Sequence, residues 1–372
     1  METISVEPGT SFSPAIRRAA EALAEGALVA FPTETVYGLG VNARNEESVL
    51  RLRAVKGRAA EKPFTVHIGR RSDCEQFVPN MSRVARRFVH KGWPGPLTLV
   101  FPIDDPAAAP VYSSLSPSGI QSIYSDKSVG LRYPDHRQAA SLLAEANVPI
   151  IASSANFAGE PPPTDAEMVR TRLGDKVDIL VDAGPCRYKH ASTIVTLDGD
   201  AYQLVRQGVI DEQTIREFAN LNILLVCSGN TCRSPMAEAI LRQMLSKKLG
   251  CSPTELERKG VVVNSAGTLA LDGGRASPEA VEVCKRKGID ISNHRSRSVS
   301  AEMVQAADFI FTMGRHHLEV IRSLTRGESA QALPLDSRGD ISDPVGGTIQ
   351  DYENAAERIT EALSARLPEV LP

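Results

Sequence analysis

No apolar run in this 372-residue chain approaches the roughly 20 residues that a membrane-spanning helix requires, which excludes a helical membrane protein. The opening Met1-Glu2-Thr3-Ile4-Ser5-Val6-Glu7 lacks a basic n-region and an apolar h-region, so no export signal is expected and the cytoplasm is the default location. Cysteines number six and form no disulfide framework by spacing, which agrees with a reducing compartment. Net charge is small: 42 Lys and Arg against 45 Asp and Glu give −3, with no global attraction to nucleic acid, so RNA binding would need a local basic groove. Internal repeats and heptads are missing too. What remains is an ordinary soluble composition in a length with room for two domains.

The most informative stretch is Cys227-Ser228-Gly229-Asn230-Thr231-Cys232-Arg233-Ser234-Pro235. Ile223-Leu224-Leu225-Val226 before it reads as a buried strand. Ser234-Pro235 reads as a helix start, with Met236, Ile240, Leu241, Met244 and Leu245 on one apolar face. A loop between strand end and helix start gathers backbone N–H groups at one spot, and with the positive helix end these suit a phosphate dianion. Arg233 can add two parallel charge-assisted hydrogen bonds, and the same field favours Cys227 as thiolate. Attack of that thiolate on phosphorus forms a cysteinyl phosphate, which water then hydrolyses. The leaving group needs a proton, for which Asp343, in Ser342-Asp343-Pro344-Val345-Gly346-Gly347, is the expected general acid. The plainer reading is a strand-end core cysteine beside a surface arginine. Gly229, Asn230 and the Ser-Pro start favour the anion site, because they supply backbone freedom and a cap where it needs them.

From about residue 222 to the C-terminus the chain resembles the low-molecular-weight protein phosphatases. The likeness runs through this loop, Asn264-Ser265-Ala266-Gly267-Thr268, Asp290-Ile291-Ser292-Asn293-His294-Arg295-Ser296, Ala307-Asp308 before Met313, and Asp343-Pro344. It implies that Cys227 is nucleophile, Arg233 binds phosphate, Asn230 and Ser234 shape the loop and support the thiolate, and Asp343 is the acid. Ser228, Gly229, Thr231 and Cys232 complete the phosphate loop, and no cofactor or metal is called for. Tyrosine-directed members usually follow Asp-Pro with aromatic residues, whereas Val345, Gly346 and Gly347 stand here. Thr231 resembles the loop threonine of the arginine-directed branch. Phosphoarginine is therefore favoured over phosphotyrosine, with both kept open. Cys232 is either a small packing residue or a redox partner of Cys227.

Upstream, Ser13-Pro14 opens an Ala-rich helix that Gly26 can close, residues 27–31 and 64–68 read as strands, and residues 45–55 as a helix. The alternation suggests an α/β layer structure. Pro32-Thr33-Glu34-Thr35-Val36-Tyr37-Gly38-Leu39-Gly40 is a hydroxyl-rich run that can hold a small polar ligand. Lys56, Arg58, Lys62 and His67 are potential cations able to clamp a polyphosphate. Ser153-Ser154-Ala155-Asn156 places hydroxyls and an amide at another strand end, and Thr164-Asp165-Ala166-Glu167 reads as a capping box. Taken singly, each is as readily a turn, a helix terminus or a satisfied histidine.

Together they resemble the threonylcarbamoyl-AMP synthase family, with a YrdC-like α/β fold and a twisted sheet. The resemblance covers residues 12–210 and includes Trp93-Pro94-Gly95-Pro96-Leu97-Thr98, Leu131-Arg132-Tyr133-Pro134, Ser192-Thr193 and Leu204-Val205-Arg206-Gln207-Gly208. It implies synthesis of threonylcarbamoyl-AMP from L-threonine, bicarbonate and ATP with Mg²⁺, for the tRNA-modification machinery. By the same likeness, Lys56, Arg58, Lys62, Ser154, Asn156 and Arg206 hold ATP, and Thr35, His67 and Ser192 orient threonine. Pro185-Cys186-Arg187-Tyr188-Lys189-His190-Ala191 departs from the family's glycine and glutamate. The expected organisation is a synthase domain at 1–210, a connector at 211–220 and a three-layer α/β/α phosphatase domain with a parallel sheet at 221–372. The rival is a non-catalytic RNA-binding or regulatory first domain beside an active phosphatase.

Overall fold

Strands and helices alternate in the computed structural model of the chain, which describes residues 1–7, 13–57, 62–324 and 331–371. The chain divides into two units, Met1–Phe218 and Ala219–Pro372. Arg58 lies outside the described residues.

In the first unit, ten strands form one mixed sheet: β1 (Glu2–Ser5), β2 (Val29–Phe31), β3 (Gly38–Asn42), β4 (Thr65–His67), β5 (Leu97–Pro102), β6 (Ser128–Arg132), β7 (Ile150–Ser154), β8 (Ile179–Asp182), β9 (Thr193–Asp198) and β10 (Ala201–Arg206). Their order is β1-β8-β2-β3-β7-β4-β6-β5-β9-β10, so β3, β4, β6 and β7 lie together although distant in sequence. Helix Pro14–Glu25 starts where Ser13 accepts the Ile16 N–H and stops at Gly26, whose φ of 112° suits glycine. Its buried Ile16, Ala19, Ala20 and Leu23 pack with Leu142 and Leu143 of helix Arg137–Ala146 against Val29, Phe31, Ile150 and Ala152. This apolar layer anchors the strands whose ends carry the hydroxyl-rich run and Ser154.

In the second unit, β11 (Leu221–Cys227), β12 (Val261–Gly267), β13 (Phe309–Thr312) and β14 (Gln331–Pro334) run parallel in the order β12-β11-β13-β14. The period-2 alternation of β11 sorts its side chains between two layers. Leu221, Ile223, Leu225 and Cys227 join the core with helices Arg233–Leu249, Pro278–Arg286 and Ile349–Val370. Leu224 and Val226 face Val304 and Ile321, from helices Ala301–Ala306 and Arg315–Leu324. A parallel sheet covered on both faces is the three-layer α/β/α arrangement.

Several local expectations shift. The helix after the nucleophile loop begins at Arg233 with Cys232 in the cap position, so Ser234 lies inside the first turn and its hydroxyl turns to Cys227 instead of capping. Asp165, not Thr164, caps helix Ala166–Leu173 by accepting from the Met168 N–H. Within 211–220 the chain forms helix Glu212–Ala219, with Ile215 buried and Phe218 edge-on to Phe88 at 6.3 Å. Among the described residues no helix is long and apolar enough to cross a membrane.

Candidate active sites

Cys227 ends β11 and is buried at the floor of the loop. Its Sγ lies 2.9 Å from the Ser234 hydroxyl and 3.2 Å from the Asn230 N–H. One backbone bond directs this arrangement. The Arg297 N–H can only donate, and it reaches Asn230 Oδ1 at 2.9 Å, so the Asn230 NH₂ must donate to Ser234 and Ser265, each at 2.9 Å. Ser234 thereby accepts from Asn230 and turns its proton to Cys227, closer than its alternative acceptor, the Ala266 carbonyl at 3.4 Å. Ser265 passes its proton to Glu238 at 2.6 Å, a supporting residue that the sequence reading missed. Asn230 adopts a φ of 53°, the left-handed conformation that asparagine tolerates better than most residues.

The loop's carbonyls are held from outside. Thr268 N–H donates to Cys227 O at 2.9 Å, His294 Nε2 to Asn230 O at 2.8 Å, and Ser277 N–H to Thr231 O at 2.9 Å. In a trans peptide the N–H points opposite to its carbonyl, so the N–H groups of Ser228, Thr231 and Cys232 turn the other way, into the loop. Arg233 is buried, with Nη1 on the Ile341 carbonyl at 3.0 Å and Nη2 on Ser228 Oγ at 3.3 Å and on Asp343. The Cys227 thiol, the Arg233 guanidinium and the Asp343 carboxyl therefore share one site. Thr231 is half-buried at the rim, and Cys232 lies 3.4 Å from the Tyr352 hydroxyl beneath the loop.

His317 was not expected here. Its Nε2 lies 3.0 Å from Ser228 Oγ, and burial with the nearby His316 and Arg233 charges pushes its pKa down to about 4. A neutral His317 accepts the Ser228 proton, leaving the Ser228 oxygen free to accept from Arg233.

The second constellation is in the first unit. A cavity of about 370 Å³ is lined by His67, Ser154, Asn156, Ser192 and Arg206, five of the residues singled out in the sequence, together with Tyr37, Thr98 and Arg132. Lys56, at the end of helix Glu46–Lys56, supports two of these residues from outside the described lining: its Nζ donates to the Ser154 carbonyl at 2.7 Å and to Asn156 Oδ1 at 3.3 Å. A register shift in β10 between Leu204 and Arg206 turns Arg206 inwards, where Nη2 donates to the Ser192 carbonyl at 2.7 Å. Ser192 Oγ is 3.0 Å from Thr98 Oγ1. Lys62 is exposed and outside the described lining of the cavity.

Thr35 is buried behind the cavity, where its hydroxyl accepts from Arg132 Nη2 at 2.7 Å and meets Thr33 at 2.8 Å. Arg132 also pairs with Glu34 at 2.9 Å, with side-chain exposures of 7% and 1%. Glu34 Oε2 and Arg132 Nε have no hydrogen-bond partner among the described residues. No role for Arg132 emerged from the sequence, although a guanidinium closing an apolar strand was a readable signal. The divergent loop also packs here: Tyr188 N–H donates to the Glu34 carbonyl at 2.8 Å, and Lys189 takes a φ of 57°.

Burial and the Arg132 charge push the pKa of His67 from 6.5 down to about 3. Below pH 6.5 the unfolded chain binds a proton at His67 that the folded chain refuses until about pH 3, so stability present above pH 6.5 is lost as pH falls between these values. At about pH 5 the loss is about 2 kcal/mol. Trp93 is the single tryptophan and is buried in this unit, so its fluorescence reports denaturation of this unit. His67→Gln is expected to shrink the drop in unfolding free energy between about pH 7.5 and about pH 5 by that amount. Equal drops in both proteins would refute the assignment.

Residues 21–208 match the Sua5/YciO/YrdC family model, described as telomere recombination, and residues 222–371 match that of the low molecular weight phosphotyrosine protein phosphatases. Threonylcarbamoyl-AMP synthase of Bacillus subtilis is 38% identical over 202 residues, covering 54% of this chain and 56% of that protein. The chain thus spans little more than half the length of that relative. Probable low molecular weight protein-tyrosine-phosphatase EpsP of Ralstonia nicotianae is 38% identical over 150 residues, covering 40% of this chain and 94% of that one. The crystal structure of Pyrococcus abyssi Sua5 complexed with L-threonine shares the fold, with a TM-score of 0.52 at 22% identity and 98% of both chains covered.

Proposed function

This chain belongs to the Sua5/YciO/YrdC family through its first unit and to the low-molecular-weight protein phosphatases through its second, and from that premise we propose that it is a bifunctional enzyme. The first unit makes threonylcarbamoyl-AMP and pyrophosphate from L-threonine, bicarbonate and ATP, for transfer to tRNA adenosine by the tRNA-modification machinery. The carrying observation is the convergence of His67, Ser154, Asn156, Ser192 and Arg206 on one cavity, with Lys56 bonded to Ser154 and Asn156 in its wall. Ser154, Asn156 and Arg206 hold the nucleotide, with Lys56 fixing the Ser154 and Asn156 backbone, while His67 and Ser192 orient threonine and Thr35 supports the wall from behind through Arg132. Threonine carbamate attacks the α-phosphate through its carboxylate oxygen and pyrophosphate leaves, so catalysis is mostly positioning and neutralisation of charge. The donor set is cationic and neutral, which suits phosphate oxygens; Mg²⁺ bound to the ATP phosphates would supply Lewis-acid charge neutralisation.

The second unit hydrolyses a protein phosphoester or phosphoramidate. The Cys227 thiolate, stabilised by the Ser234 hydroxyl and the Asn230 N–H, takes the phosphoryl group while Asp343 protonates the departing oxygen or nitrogen; water then releases phosphate. Two features support a preference for phosphoarginine: the Thr231 hydroxyl at the rim, and an aliphatic Val345 where a phenol ring would need a stacking partner.

Two assays test the reading on the purified protein. Pyrophosphate release from ATP that requires threonine separates a synthase from an RNA-binding module. Phosphate release from matched phosphoarginine and phosphotyrosine peptides, with Cys227→Ser as blank, decides specificity: faster release from phosphotyrosine would overturn the Thr231 argument.

A further inference from the structure

A cavity of about 280 Å³ in the first unit adjoins the one already described, and His67 lines both. Its inner wall is apolar, with Phe77, Val111 and Leu143 buried and Val148 beside them. Arg44 and Arg70 line it too, and both are exposed, which places them on its open side. Among the described residues neither guanidinium meets a carboxylate. Arg44 Nε donates to Ser114 Oγ at 3.2 Å, and Asp73, the one acidic residue of the lining, accepts the Arg70 backbone N–H at 2.9 Å. His67 is neutral, so the lining keeps positive charge facing water and apolar surface behind it.

The space is no gap between loosely fitted elements. A Cβ on Gly69 would stand 2.3 Å from the Ala144 nitrogen and 2.7 Å from its Cα, so the chain leaving β4 lies directly on helix Arg137–Ala146. His67 in turn faces Ile150 across the β4–β7 ladder, its Nδ1 lies 3.3 Å from the Thr65 carbonyl, and the Phe31 ring stands edge-on to it at 6.1 Å. One imidazole, fixed by its neighbours, is thus part of two walls.

We propose that this cavity binds a small organic acid, its carboxylate on Arg44 and Arg70 and its apolar body against Phe77, Val111, Leu143 and Val148, and that the bound acid weakens threonine binding through His67. Only the last clause rests on the synthase reading above. A carboxylate at exposed guanidiniums gains charge-assisted hydrogen bonds while keeping part of its hydration, and the body gains by leaving water. Inorganic phosphate would use the arginines alone and leave the apolar wall wet. An uncharged apolar molecule would leave the arginines unused. The volume lies just below the range of about 300–1,000 Å³ that takes drug-sized ligands, which sets the size of the acid.

The test uses the full-length protein with 3-phenylpropionate as probe, and 3-phenylpropionamide and inorganic phosphate as controls, read by calorimetry. The acid is expected to bind about tenfold more tightly than either control, and Arg44→Gln/Arg70→Gln to weaken it by about tenfold. Both arginines are exposed, so the variant should keep the native Trp93 unfolding midpoint. In the native protein the probe should raise the threonine KM of pyrophosphate release by about threefold or more, and in the variant by less than about 1.5-fold. Saturating threonine should weaken the probe by that same finite factor, because coupling between two sites is reciprocal. Equal affinity for acid and amide, or equal affinity in native protein and variant, would overturn the site. Complete displacement of the probe by threonine and ATP would do so as well, by placing it in the substrate cavity. Binding without any change in threonine KM would overturn the coupling. Absence of threonine-dependent pyrophosphate release would remove the synthase reading and leave the calorimetry to decide the site.

Discussion

Cys227→Ser is expected to lower phosphate release by on the order of 10⁴-fold or more, while leaving threonine-dependent pyrophosphate release within about twofold. A serine hydroxyl does not ionise in the working range, so the acceptor that Ser234 and Asn230 stabilise is lost along with the nucleophile. The exchange of sulfur for oxygen is nearly isosteric at a buried position, so the second unit should keep its fold. Each unit has its own apolar core, and the two chemistries share no intermediate. Loss of both activities in a variant with unchanged circular dichroism would show that the sites are coupled. Phosphate release close to the native rate would remove Cys227 from the mechanism.

Arg132→Met is expected to destabilise the first unit by about 3–5 kcal/mol and to abolish threonine-dependent pyrophosphate release. The substitution leaves the buried Glu34 carboxylate without its countercharge and removes the donor that holds the Thr35 hydroxyl. Removing one member of a buried ion pair costs far more than removing both, since the stranded charge keeps its desolvation penalty. Glu34→Gln/Arg132→Met should therefore regain much of the lost stability without regaining activity. The Trp93 unfolding midpoint reads the first quantity and pyrophosphate release the second. A single variant within about 1 kcal/mol of native, or a double variant less stable than the single, would show that the pair has no such role.

The phosphatase loop was the most legible part of the molecule because its parts are contiguous. A strand, nine residues and a helix place the thiol, the amides and the guanidinium by local geometry, so residue types and spacing sufficed to name them. Even there the reading missed the directionality: Ser234 serves Cys227 because Asn230 is oriented by a backbone N–H 67 residues away, and the Ser228 hydroxyl is oriented by His317, 89 residues on. Arg297 directly follows the Asp290–Ser296 motif, but nothing in that motif indicated that its backbone would reach the loop, and His317 lies outside every motif quoted. The first unit was less legible. Its hydroxyl-rich run, His67 and the Ser154/Asn156 pair could be named as a set through resemblance, but the central Arg132 stood in a recognised motif with no role attached.

By itself the sequence determined the alternation of strands and helices, the helix cap at Ser13 and the stop at Gly26, the joining of two family domains, and the strand–loop–helix that brings Cys227 and Arg233 together. All of these rest on periodicity, backbone preference and neighbours a few residues apart. Only the tertiary structure decided that β3, β4, β6 and β7 lie side by side, so that Arg132 meets Thr35 and Glu34, and that His67 is buried beside a cation and kept neutral. Sheet order, desolvation and the approach of distant charges depend on how whole elements pack, and no local pattern of residues encodes them.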